Sequence, residues 1–275
     1  MSTSLPEICV FDRAAVTQRR IRSARHFKDH DFLLHRVLDD IADRLRDVRR
    51  DFPDALLTGA RDQDENLKTA ARSTDFTVSD CDEENLPFAP HRFDLIISPL
   101  SLHTINDLPG ALIQMRRTLK PDGLFIGALF GGETLHELRA SLMQAEINIS
   151  GGVSPRIAPM AGRQDLAALM QRAGFSLPVV DAETVTVMYN DIFHLMHDLR
   201  GMGETNTITN RRKNMTGRKL FAEADKIYKD QFGEPDGKIP ATFEIIYLNG
   251  WSPHESQQKP LQRGSAEKSL AEVLE

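Results

Sequence analysis

The chain has 275 residues and a formal net charge of −6, with 40% hydrophobic and 27% charged residues. Its longest apolar runs, 124–130 and 245–248, fall far short of the roughly 20 residues that a membrane helix needs. A net negative chain also lacks the Lys and Arg excess on which phosphate neutralisation, and with it nucleic-acid binding, depends.

The opening Met1-Ser2-Thr3-Ser4-Leu5-Pro6-Glu7 holds no basic-then-apolar signal region. Cys9 and Cys81 form no C-x-x-C pair, which fits a reducing compartment and gives a metal knuckle no support. The expected location is cytoplasmic. Arg13, Arg19, Arg20, Arg22, Arg25 and Lys28 crowd the first 30 residues, with Asp12, Asp29 and Asp31 breaking any transit-peptide pattern. This basic stretch reads either as the solvated face of a helix or as a docking surface for an acidic partner.

Next, Phe32, Leu34, Val37, Leu38, Ile41, Leu45 and Val48 recur at helical spacing, and Pro53 ends the pattern. Residues 55–58 form a short apolar run into Gly59, a buried strand; 74–79 and 93–98 are two more, the latter apolar enough to be covered on both faces. A helix over 108–119 carries Pro109 in its first turn. Lys120-Pro121-Asp122-Gly123 reads as a turn, 124–129 as a strand, and Gly131-Gly132 as the exit into a helix over 133–146. A helix over 165–173 stops at Gly174. Strands at 179–189 and 241–248 bracket helices at 192–200 and 218–232. Strands alternating with helices predict an α/β fold with a doubly wound, mostly parallel sheet. The expected organisation is a basic segment and amphipathic helix over 1–52, a main domain over 53–260 and a polar tail over 261–275.

The stretch FDLIISPLSLHTINDLPGALIQMRRTLKPDGLFIGALFGGETLHELR, residues 93–139, resembles the second half of class I S-adenosylmethionine (SAM) methyltransferases. The type most like it methylates malonyl carriers in biotin synthesis. Phe11-Asp12-Arg13, Gly201-Met202-Gly203-Glu204-Thr205-Asn206 and Gly250-Trp251-Ser252-Pro253-His254-Glu255-Ser256-Gln257 narrow the likeness. They resemble the methyltransferase-like assembly factors of respiratory complex I, a subgroup described as arginine hydroxylases acting on a complex I subunit. The resemblance spans roughly residues 11–266. It implies a Rossmann-like sheet of seven strands with the last antiparallel, SAM as cofactor, a basic helical lid over the cofactor mouth, and a protein partner such as a complex I subunit.

Three features of the cofactor site can be compared residue by residue. The family loop D-x-G-x-G-x-G, whose glycines admit the methionine part of SAM, corresponds here to Leu56-Leu57-Thr58-Gly59-Ala60-Arg61-Asp62, with Gly59 alone kept. Arg61 adds a cation where SAM brings its own, an unfavourable pairing. The ribose-binding acid, expected roughly 20 residues on, has no place. Only the stretch 60–85 separates Gly59 from Leu86-Pro87-Phe88, whereas one βαβ unit alone takes roughly 30 residues. One strand–helix unit is therefore expected to be absent, leaving six strands, with Asp62 or Asp64 as candidate replacements for the acid. The adenine-side acid matches Asp82, followed by Glu83 and Glu84, although these also read as a solvated loop. Ser98 and Leu100 are expected to line the pocket floor.

His103 is a candidate base, against a structural reading of a lone loop histidine, and His254 is a second candidate. His194 and His197 lie three apart with no clear carboxylate partner, and no H-E-x-x-H set occurs. No metal is expected. Trp251 and His254 are candidates for a partner or substrate site, expected at the cleft rim because they follow the last strand. Two functions remain open: a scaffold or assembly factor, favoured by the truncated loop and expected to bind SAM more weakly than about 100 µM, and an active SAM-dependent methyltransferase or arginine hydroxylase-type enzyme acting on a protein.

Overall fold

Asp12, through its Oδ1, accepts a hydrogen bond from the Ala15 N–H at 3.0 Å and so starts the first helix, α1 (Arg13–Ser23). A computed structural model describes residues 9–59 and 65–258. Ala60, Arg61, Asp62, Asp64 and the tail 261–275 lie outside the described residues. In α2 (Phe32–Asp47), Leu33, Val37, Ile41 and Leu45 share one face at three- and four-residue steps, and all are buried. There follow β1 (Asp54–Thr58), α3 (Glu65–Ala71), β2 (Asp75–Ser79), β3 (Phe93–Pro99) and α4 (Leu108–Thr118). Asp107 caps α4 by accepting from the Gly110 N–H at 2.9 Å. The remainder comprises β4 (Leu119–Phe130), α5 (His136–Ser150), α6 (Arg163–Arg172), β5 (Ser176–Tyr189), α7 (Ile192–Met202), α8 (Arg218–Phe232) and β6 (Ile239–Trp251).

The sheet has six strands in the order β2-β1-β3-β4-β6-β5. β6 runs antiparallel to both neighbours, and the other five point the same way. This is the six-stranded arrangement expected from the short span after Gly59. Among the described residues one helix, α3, joins β1 to β2, and residues 80–92 reach β3 without a further strand. The edge beyond β2 is thus where the family's seventh strand would lie.

Two sequence expectations are corrected. Lys120–Gly123 is not a free turn but lies inside β4; Asp122 takes a left-handed φ of 63° there, and its N–H donates to the Ser252 carbonyl at 3.1 Å. The strand register against β3 slips at Phe93/Leu95, which absorbs the extra residues as a bulge. The helix expected from 133 starts at His136, because residues 131–135 are drawn across to β6. The Gly131 N–H donates to the Glu244 carbonyl at 2.8 Å and the Leu135 N–H to the Thr242 carbonyl at 2.7 Å.

Successive strand residues alternate between faces, which divides the core in two. Leu57, Leu95, Ile97, Ile126 and Ala128 pack under α2, α5, α7 and α8. Leu56, Ile96, Phe125 and Leu129 pack against α4 and α6. Both faces are covered, as a largely parallel sheet requires. The carboxyl ends of β1, β3 and β4 are left as the place where a ligand can reach the sheet.

Candidate functional site

At the end of β1, Gly59 has φ +72°, and a Cβ built there would collide with the Ser101 side chain and come within 2.9 Å of Glu83 Oε1. Glycine is needed both for the left-handed backbone and for this close approach. Ser98 and Ser101 join through their hydroxyls at 2.9 Å. Leu100, at the end of β3, also takes a left-handed φ of 47°, and its N–H donates to Ala128 O at 2.8 Å. Gly59, Asp82, Glu83, Ser98 and Leu100, named separately from sequence, therefore meet at one end of the sheet.

Glu83 is 1% exposed. Its Oε2 lies 3.3 Å from Arg13 Nη2, which also approaches Asp82 Oδ1 at 2.8 Å, while Glu84 Oε2 is 4.0 Å from Arg13 Nε. Burial works against the Arg13 charge, but the carboxylates of Asp82, Glu83 and Glu84 outweigh it and raise its pKa above the ordinary guanidinium value. The other oxygen of Glu83, Oε1, is buried with no hydrogen-bond partner, an arrangement that costs roughly 1–3 kcal/mol or more when left so. A carboxylate oxygen of this kind beside Gly59 fits a ligand offering hydroxyl or cationic donors, as the ribose and ammonium groups of SAM do. Room exists on the α1 side: a cleft of about 490 Å³ is lined by Arg13, Thr17, Arg20, Asp80, Cys81 and Glu83, among others. At Gly59 and Leu100 themselves the space is only about 40 Å³.

Phe11-Asp12-Arg13 holds α1 in this position. The Phe11 N–H donates to Asn106 Oδ1 at 2.8 Å, Asn106 Nδ2 donates back to Phe11 O at 3.0 Å, and the Asp12 N–H donates to Thr207 O at 2.8 Å. Arg211 Nη2 donates to Asp12 Oδ2 at 3.0 Å, and with the Ala15 N–H it holds the Asp12 carboxyl below the usual carboxylate range.

Another cavity, about 230 Å³, opens beside the small space at Gly59 and Leu100 and is mostly apolar, with Phe130, Leu138, Met160 and Phe243 on its walls. His103 lies here, buried, its ring 4.8 Å from that of Phe130. Its Nε2 lies 3.0 Å from Glu204 Oε2. Phe130 and Glu204 border both cavities, so Glu204 stands where the cofactor mouth meets the second chamber. Glu204, Ser101 and the pairing of Arg13 with the acids were not singled out from sequence. The signal for Glu204 was present in the segment Gly201–Asn206, which carried the resemblance without a role.

Trp251 and His254 are not at this rim. β6 runs antiparallel, so its last residue pairs with Leu124 at the start of the apolar part of β4, while Ile245 pairs with Phe130 at the cavity end. The expectation that a segment following the last strand reaches the cleft is corrected by that strand's direction. Trp251 rests on Phe52, ring centroids 6.5 Å apart, under the Arg50 guanidinium. His254 is exposed, with Nδ1 2.7 Å from Ser256 Oγ. His194 turns to Asp191 at 2.8 Å and His197 stacks edgewise on His30; among the described residues no group of three or more His, Cys, Asp or Glu is placed to hold a metal ion.

Comparison with known proteins places the fold. Residues 42–127 match a family model described as a methyltransferase domain. A crystal structure of a Bacillus halodurans protein described as a candidate methyltransferase superposes with a TM-score of 0.50 at 14% identity, covering 78% of this chain and 98% of that one. The mitochondrial arginine-hydroxylase NDUFAF5 of Danio rerio is 42% identical over 96% of this chain and 89% of its own length. The human protein of the same name is 42% identical over 99% and 85%. The chain belongs to the NDUFAF5 family. A malonyl-[acyl-carrier protein] O-methyltransferase of Halorhodospira halophila is 35% identical over 60% of this chain and 54% of its own length, a more distant relative. The expectation of a cytoplasmic protein is overturned: the NDUFAF5 relatives that align over nearly the whole chain are named mitochondrial, which points to mitochondria.

Proposed function

We propose that this chain is a SAM-binding enzyme of the arginine hydroxylase type, acting on an arginine of a protein substrate, with a subunit of respiratory complex I as the partner the resemblance implies. The observation that carries the reading is the buried, unpartnered Glu83 oxygen beside Gly59. In this reading Glu83 takes the place of the family's ribose acid, Asp82 faces the adenine side, and Gly59, Ser98 and Leu100 form the floor. When bound, SAM would offer a transferable methyl group, whereas an oxygen gained by arginine would have to come from a separate oxidant such as dioxygen with a reductant. The chain's own part is to hold SAM against the sheet ends, exclude water through α1, and present the second chamber to the substrate. Kinship with proteins named arginine hydroxylases supports the substrate class.

A scaffold or assembly role is the second reading, favoured by one observation. Arg13 already occupies the acids, and only about 40 Å³ is open at Gly59, whereas ligand pockets usually run to roughly 300–1,000 Å³. The readings separate in two measurements. The enzyme reading expects SAM binding in calorimetry that is lost in Gly59→Ala, and arginines in complex I subunits that gain one oxygen, by mass spectrometry, only in cells carrying this chain. The scaffold reading expects a SAM dissociation constant above about 100 µM, unchanged arginines, and complex I assembly that still depends on the chain.

A further inference from the structure

The two edges of the sheet are finished differently. At one, β2 is five residues long, and Arg92 reaches over it, donating from Nη2 to Asp75 Oδ2 at 2.9 Å. Short strands and charged side chains are the usual means of closing an edge to further pairing. At the other, β5 runs 14 residues. Leu177, with a left-handed φ of 49°, and Pro178 break its ladder at the start, where the register against β6 slips between Ser176 and Val179. From Val179 to Tyr189 the pairing with β6 is continuous. Among the described residues no strand pairs with the far side of β5, so alternate N–H and C=O groups face outward along this run.

The side chains of the run divide by parity. Asp181 and Glu183 turn to α2, where Arg44 donates to both Asp181 oxygens, at 3.0 and 2.6 Å, and Arg36 donates to Glu183. Val185 and Val187 pack on the same side against the core. Ala182, Thr184, Thr186 and Met188 point the other way and are exposed, with no charge among them. Exposed apolar side chains also stand at both ends. Leu177 and Val179 are 56% and 57% exposed at the start, and Met188 and Phe193, just inside α7, are 40% and 50% exposed at the finish. Gathered along one rim, such groups mark a contact surface.

A rim that is apolar at both ends and neutral between them is complementary to itself when one copy is turned end over end. We propose that β5 is the docking edge for a second copy of this chain. The two strands pair antiparallel about a two-fold axis at Val185, and the two six-stranded sheets continue into one. Charge fixes the register. An axis at Ala182 sets Asp181 opposite Glu183, and one at Glu183 sets that carboxylate opposite its own copy; like charges directly opposed are destabilising. An axis at Thr184 parts the acids but brings Leu177 to Asp191, whose carboxylate caps α7. With the axis at Val185 the acids face Tyr189 and Val187, Thr184 meets Thr186, and the Leu177 end of each strand lies alongside Phe193 of the other. This edge lies across the sheet from β2 and β1, so pairing there leaves the cleft at Gly59 uncovered.

Sedimentation equilibrium of the full chain over a range of concentrations tests this. The expected mass at high concentration is twice the 30.9 kDa of one chain, and amide hydrogen exchange along 179–189 should slow as concentration rises. Thr184→Lys with Thr186→Lys opposes lysines across the axis and should weaken the dimer about tenfold or more. Thr184→Lys with Thr186→Glu opposes unlike charges instead and should restore it; failure to do so overturns the axis at Val185. Ile147→Lys, at an exposed apolar position on α5, should leave the mass unchanged. A chain that stays monomeric up to about 100 µM overturns the inference. So does a dimer that survives the lysine pair, or one that Ile147→Lys dissociates. The wild-type masses and exchange rates do not depend on how the variants fold.

Discussion

The sheet has two unlike halves. On the cofactor side, β1 and β2 are five residues each, and the surroundings are carboxylates and arginines that reach solvent, such as Arg13 with Asp82 and Arg92 with Asp75. On the other side, β4, β6 and β5 run 12, 13 and 14 residues, and their charges are either absent from the interior or locked in place, as Glu146 is by Arg156. The contrast explains how this chain folds with six strands. The strand it lacks would lie at the edge next to β2, where little apolar area is buried, while the cores around β4 and β6 are untouched. The cleft under α1 lies on the short side of the sheet and the cavity behind Phe130 on the long side.

The largest expected effect tests the locked half. Glu146 is 1% exposed, and Arg156 with Ser154 holds it: Nη2 donates at 2.6 Å, and the Ser154 N–H and hydroxyl each donate at 2.7 Å. These bonds fix residues 154–160, which form one wall of the apolar chamber. Arg156→Leu leaves the carboxylate buried without its cation, a change that costs about 3 kcal/mol. Urea unfolding should show this, and the double variant with Glu146→Gln should recover much of it. A cost below about 1 kcal/mol would mean that Arg212, 4.0 Å away, takes over the charge and that the wall is not locked by this pair.

A smaller effect is expected at Trp251. Truncation of a fully buried Trp costs roughly 3–5 kcal/mol; this one is half-buried, so Trp251→Ala should cost about 2 kcal/mol in a thermal or urea melt. Because Trp251 sits at the far end of the sheet from Gly59, SAM binding by the folded fraction should be unchanged. A melting temperature within a few degrees of wild type, with capture of a complex I subunit lost, would instead assign this end of the sheet to partner binding.

These two residues also mark what the sequence made legible. The strands of the apolar half, the helix stripes and the missing unit after Gly59 could all be read, because hydrophobic period and segment length are local properties. Asp82 and Glu83 were reached by matching Leu86-Pro87-Phe88 to the family, and Ser98 and Leu100 from the end of a recognisable strand. The position of Trp251 was misjudged because it depends on the direction of β6, and strand direction is set by pairing, not by the residues of the strand. Glu204 and Arg13 went unassigned for a related reason. Each acts across more than 60 residues of chain, Glu204 on His103 and Arg13 on Asp82, and no local pattern marks such a contact.

The smallest expected effect compares the two halves in acid. Burial works against ionisation of Glu146, but the Arg156 and Ser154 hydrogen bonds outweigh it and hold its pKa below the usual carboxylate range. Asp54 is also lowered, by hydrogen bonds from Lys120 and Arg92, yet its side chain and theirs are 27–42% exposed. In both cases the folded pKa is the lower one. The stabilisation is therefore complete above the unfolded value, roughly 4 for such groups, and disappears as pH falls through the folded value. Salt separates the two, since exposed pairs are screened at high ionic strength and buried ones much less. In acid unfolding series, Glu146→Gln should flatten the loss of stability below about pH 4 equally at low and high salt, whereas Asp54→Asn should do so at low salt only. If both variants lose their effect in salt, the apolar half is held in acid by the same solvent-reached pairs as the short half, and the division between a locked and a loosely paired side no longer describes the molecule.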